Sequence, residues 1–199
     1  MKEKPILFNA EMVRAILEGR KTQTRRIVKG IGKNGKQYWT DLIQDTEIIN
    51  NKEISLGFED ENGDWHKTES ACPYGQIGDR LWVRETFNTD WCDNVIYKAD
   101  GGSAIDAGYS KEPKWKPSIF MNRKYSRINL EITNIRVERV QEISEEDAKA
   151  EGIELSCALY GYPCYKKTFH ELWDSINKKR GYSWDSNPWV WVVEFKRQK

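Results

Sequence analysis

The sequence predicts a mixed α+β domain built on a small twisted sheet or barrel. Segments with strand-like alternation outnumber helical segments, they are spread over the whole chain, and the helical segments are short. At 199 residues the chain is long enough to bury most of its apolar surface in one core. We therefore expect a single domain over residues 1–199.

The first helix is predicted from Asn9, a favourable N-cap, and Gly19 supplies a left-handed stop. Its apolar face consists of Met12, Val13, Ile16 and Leu17. The stretch "GRKTQTRR" begins where this helix ends, and residues 22–28 are expected to be extended. The cationic cluster thus lies between a helix and a strand, with Lys21 and Thr24 within reach of each other.

Two insertions are predicted, at about 30–72 and 88–124, because these segments are polar or irregular and too long for ordinary connections. The first contains a hairpin signal at Asn62–Gly63. Between the insertions, "GQIGDRLWVRETF" predicts a strand with Leu81, Val83 and Glu85 on one face.

The second half begins with an alternating strand over 126–140, whose phase shifts at Asn134 as in a bulged strand. Ser144 opens a short helix that ends at Gly152. A second amphipathic helix carries its apolar residues at Phe169, Leu172, Trp173 and Ile176. The last segment, "WVWVVEF", predicts a buried strand.

The net charge is only +1, which argues against a protein that coats polyanions. The charges are nevertheless segregated. Residues 12–40 hold eight Lys/Arg against one acid, and residues 111–127 hold six against one. If the two basic segments meet in space, they form one cationic face, which we predict to include Lys21, Arg25, Arg26, Lys116 and Arg123.

Neither a metal nor another cofactor is predicted. The four cysteines, Cys72, Cys92, Cys157 and Cys164, form no C-x-x-C pair, and the two histidines lack ligand spacing. We expect buried or half-buried thiols. No apolar run approaches a membrane span, so we expect a cytoplasmic protein without a membrane partner.

Four segments together resemble the ASCH domain family: "ILEGRKTQTRR", "GDRLWVRE", "ISEEDAKAEGI" and "WVVEF". The family pattern G-x-K-x-x-E-x-R is met by Gly19, Lys21 and Arg26, while Thr24 stands where many members have Glu. The resemblance implies a PUA-like small β-barrel with short flanking helices, to which the two large loop insertions are added. Across nearly its full length, the chain is similar to longer, phage-type ASCH proteins.

A threonine in this motif is also found in the small bacterial N4-acetylcytidine amidohydrolases. The resemblance to them implies a metal-free catalytic set of Lys21, Thr24 and Glu151, with Glu151 contributed by the short helix. A threonine hydroxyl needs a base, and Lys21 can serve only if burial and neighbouring arginines lower its pKa. The neighbouring arginines are also candidates for stabilising an oxyanion.

Further residues are predicted to bind substrate or nucleic acid. Trp115, between lysines in "KEPKWKP", suits stacking on a nucleobase. Arg84 and Glu85 either form an ion pair or one of them faces the pocket. The predicted binding residues are Arg20, Arg25, Arg26, Arg84, Glu85, Trp115, Lys116 and Arg123. Two functions stay open: an enzyme acting on a modified nucleoside, and a noncatalytic module that holds RNA.

Overall fold

The computed structural model describes residues 1–28, 57–59, 65–67, 72–89, 94–101, 114–154, 158–159 and 162–198. The α-helices are α1 (Ala10–Leu17), α2 (Glu145–Ala150) and α3 (Tyr165–Asn177). The strands are β1 (Glu3–Leu7), β2 (Gln23–Ile27), β3 (Gly57–Glu59), β4 (Trp65–Lys67), β5 (Arg80–Arg84), β6 (Phe87–Thr89), β7 (Val95–Tyr97), β8 (Asn129–Arg139), β9 (Ala158–Leu159), β10 (Tyr162–Pro163) and β11 (Trp189–Arg197).

A mixed five-stranded sheet forms the centre of the domain, in the order β1-β5-β8-β11-β2. The β1–β5 pair is parallel, whereas β5–β8, β8–β11 and β11–β2 are antiparallel. This arrangement confirms the predicted α+β class.

The prediction of a barrel is wrong, because the sheet is not closed: among the described strands, β1 and β2 are edges that do not pair with each other. Helix α1 joins these two edges along the chain and buries Val13 and Ile16 in the core. The edges are bridged instead by a side chain, since Arg26 of β2 donates from Nη2 to the Leu7 carbonyl of β1 at 2.6 Å.

Strand β11 is buried on both faces and separates two apolar clusters. Val190 and Val192 pack with Phe169 under α2 and α3, whereas Trp191 and Val193 point into the larger core that includes α1. The strand residues that we predicted to be buried are Leu81, Val83, Ile128, Leu130, Val190 and Val193, and all are buried. The sheet thus holds α1 on one face and the other helices on the opposite face.

The predicted helix ends and bulge are confirmed. The Asn9 side chain accepts from Met12 N at 2.8 Å, and the Ser144 hydroxyl accepts from Asp147 N at 3.0 Å. The consecutive β11 residues Glu194 and Phe195 pair with Asn134 and Ile132 of β8. Thr133 has no partner in this pairing and is therefore the extra residue of the bulge. The bulge lies one residue from the predicted position.

The first predicted insertion, 30–72, falls largely outside the described residues, whereas more than half of the second, 88–124, is described. Within the first, β3 and β4 pair antiparallel on either side of the predicted Asn62–Gly63 turn, and the turn itself is outside the described residues. Within the second, β6 and β7 pair antiparallel. The single-domain assignment over residues 1–199 stays a prediction.

Candidate functional site

The site forms where the ends of α1 and α2 meet. Helix α1 ends with Gly19 in the left-handed conformation (φ 77°), and Lys21 N then donates back to Ala15 O at 3.0 Å. Helix α2 ends at its C-cap, Glu151, followed by Gly152 at φ 82°. The two helix ends are joined by an isolated β-bridge between Lys21 and Glu151.

Lys21 and Glu151 form a buried ion pair. The Lys21 Nζ atom lies 2.6 Å from Glu151 Oε2 and 2.8 Å from the Glu151 carbonyl oxygen. The two side chains are 0% and 5% exposed. Two of the three predicted catalytic residues are therefore in direct contact.

Burial lowers the pKa of Lys21, because desolvation penalises its ammonium form. Glu151 acts in the opposite direction, by charge and by hydrogen bonding, and Arg25 and Arg26 contribute smaller lowering effects through repulsion. The direction and its causes agree with the sequence-based expectation for a lysine base.

Arg25 does not present its charge to solvent. Its side chain is 0% exposed and contacts Glu138, Asp147 at 2.9 Å and Glu151 at 3.3 Å. Arg25 therefore supports the Glu151 carboxylate from the side opposite Lys21. The prediction that Arg25 lines an open cationic face is wrong, because the guanidinium is enclosed by carboxylates.

The Lys21–Glu151 pair belongs to a larger polar cluster. Arg136 extends it by pairing with Glu138 at 3.1 Å, Asp147 at 3.0 Å and Glu194. The cluster consists of three cations and four carboxylates, namely Lys21, Arg25, Arg136, Glu138, Asp147, Glu151 and Glu194. The formal net charge of the cluster is −1. Its cations are therefore neutralised by its own carboxylates and do not form a phosphate-binding patch.

Thr24, the third predicted catalytic residue, is 3% exposed and lies opposite Val193 in the β2–β11 pair. Its hydroxyl has no hydrogen-bond partner among the described residues. Thr24 and Arg26 share a face of β2 by strand alternation. The Lys21 ammonium reaches the same face, because Lys21 and Arg26 both lie against the Phe8 ring.

Phe8 is a site residue that the sequence did not reveal. Its ring centroid lies 5.6 Å from Lys21 Nζ and 5.2 Å from Arg26 Cζ. Nε of Arg26 is buried and has no acceptor among the described residues. The ring thus lies against both cations and covers one side of each. The only signal of this contact in the sequence is the order of the residues. An aromatic residue lies just before α1, and a cation follows the end of that helix.

Arg20 points away from Lys21. Its Nη1 donates to Gly152 O at 3.0 Å, and Nη2 pairs with Glu18 at 2.5 Å and Glu154 at 2.8 Å. A cleft of about 340 Å³ lies nearby, between α1, α2 and α3, and Glu151 is among its lining residues. Arg20 therefore borders this cleft and does not contact the catalytic set.

The other predicted binding residues lie in a different part of the fold. Arg84 donates to the Ile119 and Met121 carbonyls at 2.5 and 3.0 Å. Glu85 is buried and pairs with Arg127 at 2.9 Å, so the predicted alternative of an Arg84–Glu85 ion pair is wrong. The two side chains point in opposite directions, as strand alternation requires.

Lys116 and Arg123 do not join Lys21 in one cationic face. Arg123 pairs with Glu3 at 3.1 Å, and Lys116 Nζ donates to Thr89 at 2.9 Å. Lys21 itself is enclosed. Trp115 is half-buried, and the segment is less irregular than expected, because Lys116 forms a β-bridge with Phe87.

No group of three or more potential metal ligands occurs among the described residues. Cys72 is buried and Cys164 is half-buried, as predicted for thiols, while Cys92 and Cys157 lie outside the described residues. In the part of the chain that the structure describes, no helix is long and apolar enough to cross a membrane.

No family model matches the chain, and no curated protein matches it. Among solved structures, the chain is similar to the crystal structure of an ASCH domain from Lactobacillus crispatus JV V101, with 14% identity and a TM-score of 0.41. The match covers 98% of this chain and 79% of that chain. That solved structure is an ASCH domain, the family that the motif residues of this chain resemble.

Proposed function

We propose that this protein binds RNA or a modified nucleoside and cleaves an acyl amide, with N4-acetylcytidine or a similar acylated nucleoside as its substrate. The observation that carries the proposal is the buried Lys21–Glu151 contact of 2.6 Å next to the strand that holds Thr24. A buried lysine with a lowered pKa, three residues before a buried threonine whose hydroxyl has no partner among the described residues, supports an activated threonine nucleophile.

The first half-reaction forms an acyl-enzyme. Proton transfer from the Lys21 ammonium to Glu151 leaves a neutral amine, which takes the proton from the Thr24 hydroxyl. Thr24 Oγ1 then attacks the amide carbonyl carbon, and the carbonyl electron pair moves to oxygen. The oxyanion collapses as the C–N bond breaks, and the leaving amine takes the proton from the Lys21 ammonium.

The second half-reaction releases the acyl group. Water attacks the Thr24 ester, and the neutral Lys21 amine takes the proton of that water. Collapse of the tetrahedral intermediate breaks the bond to Thr24 Oγ1, which regains its proton from Lys21. The balance is amide plus water giving amine plus carboxylic acid, and return of the first proton from Glu151 to Lys21 restores the starting ion pair.

The oxyanion is best stabilised by the protonated Lys21 that each attack creates. Arg25 is a weaker candidate for this role, because its guanidinium is enclosed by Glu138, Asp147 and Glu151. Arg20 is occupied by two other glutamates and the Gly152 carbonyl. The role of Glu151 is to hold Lys21 and exchange a proton with it.

The test is hydrolysis of N4-acetylcytidine by purified protein with a chelator present. Thr24→Val removes the nucleophile with little change of shape and should abolish turnover, whereas Thr24→Ser should retain part of it. Thr22→Val is the matched control, because the Thr22 side chain is exposed two residues away. Lys21→Met should also abolish turnover. Turnover that persists in Thr24→Val, or that disappears with chelator in the wild type, would rule out this mechanism.

A noncatalytic RNA-binding module is the second candidate, favoured by one surface. The Trp82 ring on β5 lies 5.2 Å from the Arg84 guanidinium carbon and 5.9 Å from that of Arg123. An aromatic ring with flanking arginines suits single-stranded RNA. If the wild type hydrolyses no acylated nucleoside, and binds single-stranded RNA in a salt-dependent way that Trp82→Ala weakens, this candidate is favoured.

A further inference from the structure

A turn beside β5 exposes two large apolar side chains. Ile119 and Phe120 are 58% and 67% exposed. They lie in a 3₁₀ turn, Ser118–Phe120, in which Phe120 N donates to Pro117 O at 3.0 Å. The next residue, Met121, is completely buried. The turn is therefore anchored in the protein immediately after the residues that it exposes.

Arg84, at the end of β5, holds this turn in place. Its guanidinium donates to Ile119 O at 2.5 Å and to Met121 O at 3.0 Å. Before the turn, Lys116 N donates to Phe87 O at 2.8 Å, within an isolated β-bridge between the two residues. Because the support of the exposed pair is already ordered, a ligand can bind to it at little cost in conformational entropy.

Positive charge lies next to the exposed pair without a matching acid. Arg84 and Lys116 have no carboxylate partner among the described residues. The Lys116 ammonium donates to the Thr89 hydroxyl at 2.9 Å, and Arg84 Nη1 has no acceptor in the described part of the chain. Both cations therefore keep hydrogen-bond donors for an anionic partner.

The partner that fits this surface carries negative charge and flat apolar groups. Single-stranded nucleic acid has both, because its phosphates attract the cations and its bases stack on an aromatic ring. A second copy of the chain fits less well, since a symmetric contact would bring the same unpaired cations together. Of the two aromatic residues near Arg84, Phe120 is the open one, whereas Trp82 is half-buried and contacts two guanidinium groups.

The turn and the candidate active site are linked across the end of β1. Leu7 is paired with Arg84 in the sheet, and Phe8 N donates to Arg84 O at 3.1 Å. On the other side of β1, Leu7 O accepts from Arg26, which shares a face of β2 with Thr24. Only the end of one strand therefore separates the two places, so a single polynucleotide strand can contact both.

We propose that Phe120 stacks on a nucleobase of single-stranded RNA while Lys116 and Arg84 bind the phosphates beside that base. The substrate is then an acylated cytidine within an RNA strand and not the free nucleoside. This substrate class rests on the function proposed above, but binding of the strand does not, and it is measurable without hydrolysis.

The first experiment is a fluorescence anisotropy titration of the full chain with a labelled oligocytidylate of about eight nucleotides. Phe120→Ala should weaken binding by about five- to a hundredfold, the range for loss of one base–aromatic stack, and Phe120→Trp should restore it. Lys116→Gln should weaken binding and lower the salt dependence by about one counterion. The matched control is Ile77→Ala, which removes another exposed apolar side chain at the opposite end of β5 and should leave binding unchanged.

Three results of this titration would overturn the proposal. The first is equal affinity of Phe120→Ala and wild type, and the second is equally tight binding of double-stranded RNA, whose bases cannot stack on a side chain. The third is self-association of the wild type that Phe120→Ala abolishes, without RNA binding, because it would assign the surface to a second copy. The exposed position of Phe120 means that its replacement should not change the melting temperature.

The second experiment compares kcat/KM for N4-acetylcytidine within the same oligonucleotide and as the free nucleoside. We expect at least about a tenfold preference for the oligonucleotide, which Phe120→Ala should reduce without affecting the nucleoside. Equal kcat/KM for the two substrates would overturn the strand as substrate class. RNA binding that depends on Phe120, without hydrolysis of either substrate, would reject the proposed amide cleavage and support the surface.

Discussion

Replacing Glu151 with glutamine tests whether the buried ion pair controls both stability and the charge of Lys21. In wild type, Lys21 Nζ donates to Glu151 Oε2 at 2.6 Å. The Gln side chain keeps an oxygen that can accept this hydrogen bond, but it removes the negative charge. Lys21 has no other carboxylate partner among the described residues. Its ammonium would then be buried without a counter-ion.

The expected cost is large. Breaking a buried pair typically costs about 3–5 kcal/mol, and we expect about 3 kcal/mol because Gln still accepts a hydrogen bond. For a domain of this size, each kcal/mol shifts the melting temperature by about 2–4 °C, so the loss is about 6–12 °C.

The loss should depend on pH. Burial lowers the pKa of Lys21 below its unfolded value of about 10.4, so between the two values the unfolded chain binds more protons, and stability rises with pH. Glu151 raises the pKa of Lys21, and its removal widens this window downward. The deficit of Glu151→Gln relative to wild type should therefore shrink as the pH rises toward the unfolded value of about 10.4, as neutral Lys21 needs no counter-ion. Thermal unfolding at several pH values measures it.

The comparison variant for Glu151→Gln is Lys21→Met. It leaves Glu151 with Arg25 at 3.3 Å, so the remaining buried charge keeps a partner. We expect Lys21→Met to cost less than Glu151→Gln. A larger cost for Lys21→Met, or a deficit of Glu151→Gln that is unchanged at high pH, would refute the assignment of Glu151 as the main counter-ion of a charged Lys21.

Two further substitutions test the supports of the site. Gly152→Ala should lower both stability and turnover, because the position has φ 82° and a Cβ there would lie 2.8 Å from the Lys21 Cβ; unchanged melting temperature and kcat would contradict this. Arg127→Gln should destabilise the fold by about 2–3 kcal/mol, because it leaves Glu85 buried without its cation, and denaturant unfolding measures it. Turnover on N4-acetylcytidine should survive Arg127→Gln, which distinguishes a structural pair from a part of the site.

Local signals in the sequence predicted the frame of the site. Asn9 and Ser144 are caps whose side chains act within one helical turn, and Gly19 and Gly152 mark helix ends for the same local reason. The pairing of Lys21 with Glu151 needed the family resemblance, since 130 residues separate them. No local pattern specifies a contact of that range.

The parts that escaped prediction depend on tertiary packing. Arg25 reads as an exposed cation in a basic segment, yet the sheet brings Glu138 and Asp147 against it. Phe8 reads as an ordinary apolar residue, because its position beside Arg26 arises only when the edges of β1 and β2 approach each other. Strand patterns left a twisted sheet and a barrel both open, because they do not reveal whether a last pair of edges closes, and the barrel was predicted from the family resemblance.

The central position of β11 determines when the sheet can form. This strand pairs with both β2 and β8, and Val190 opposes Ile27 more than 160 residues earlier in the chain. Before β11 pairs, β2 has no strand partner among the described strands. The two apolar clusters also lack the strand that contributes side chains to both of them. Loop closure over such distances makes folding slow and leaves early segments exposed during synthesis. The polar cluster around Lys21 can therefore be assembled only after β11 has emerged from the ribosome, so the chemistry at the beginning of the chain depends on residues at its far end.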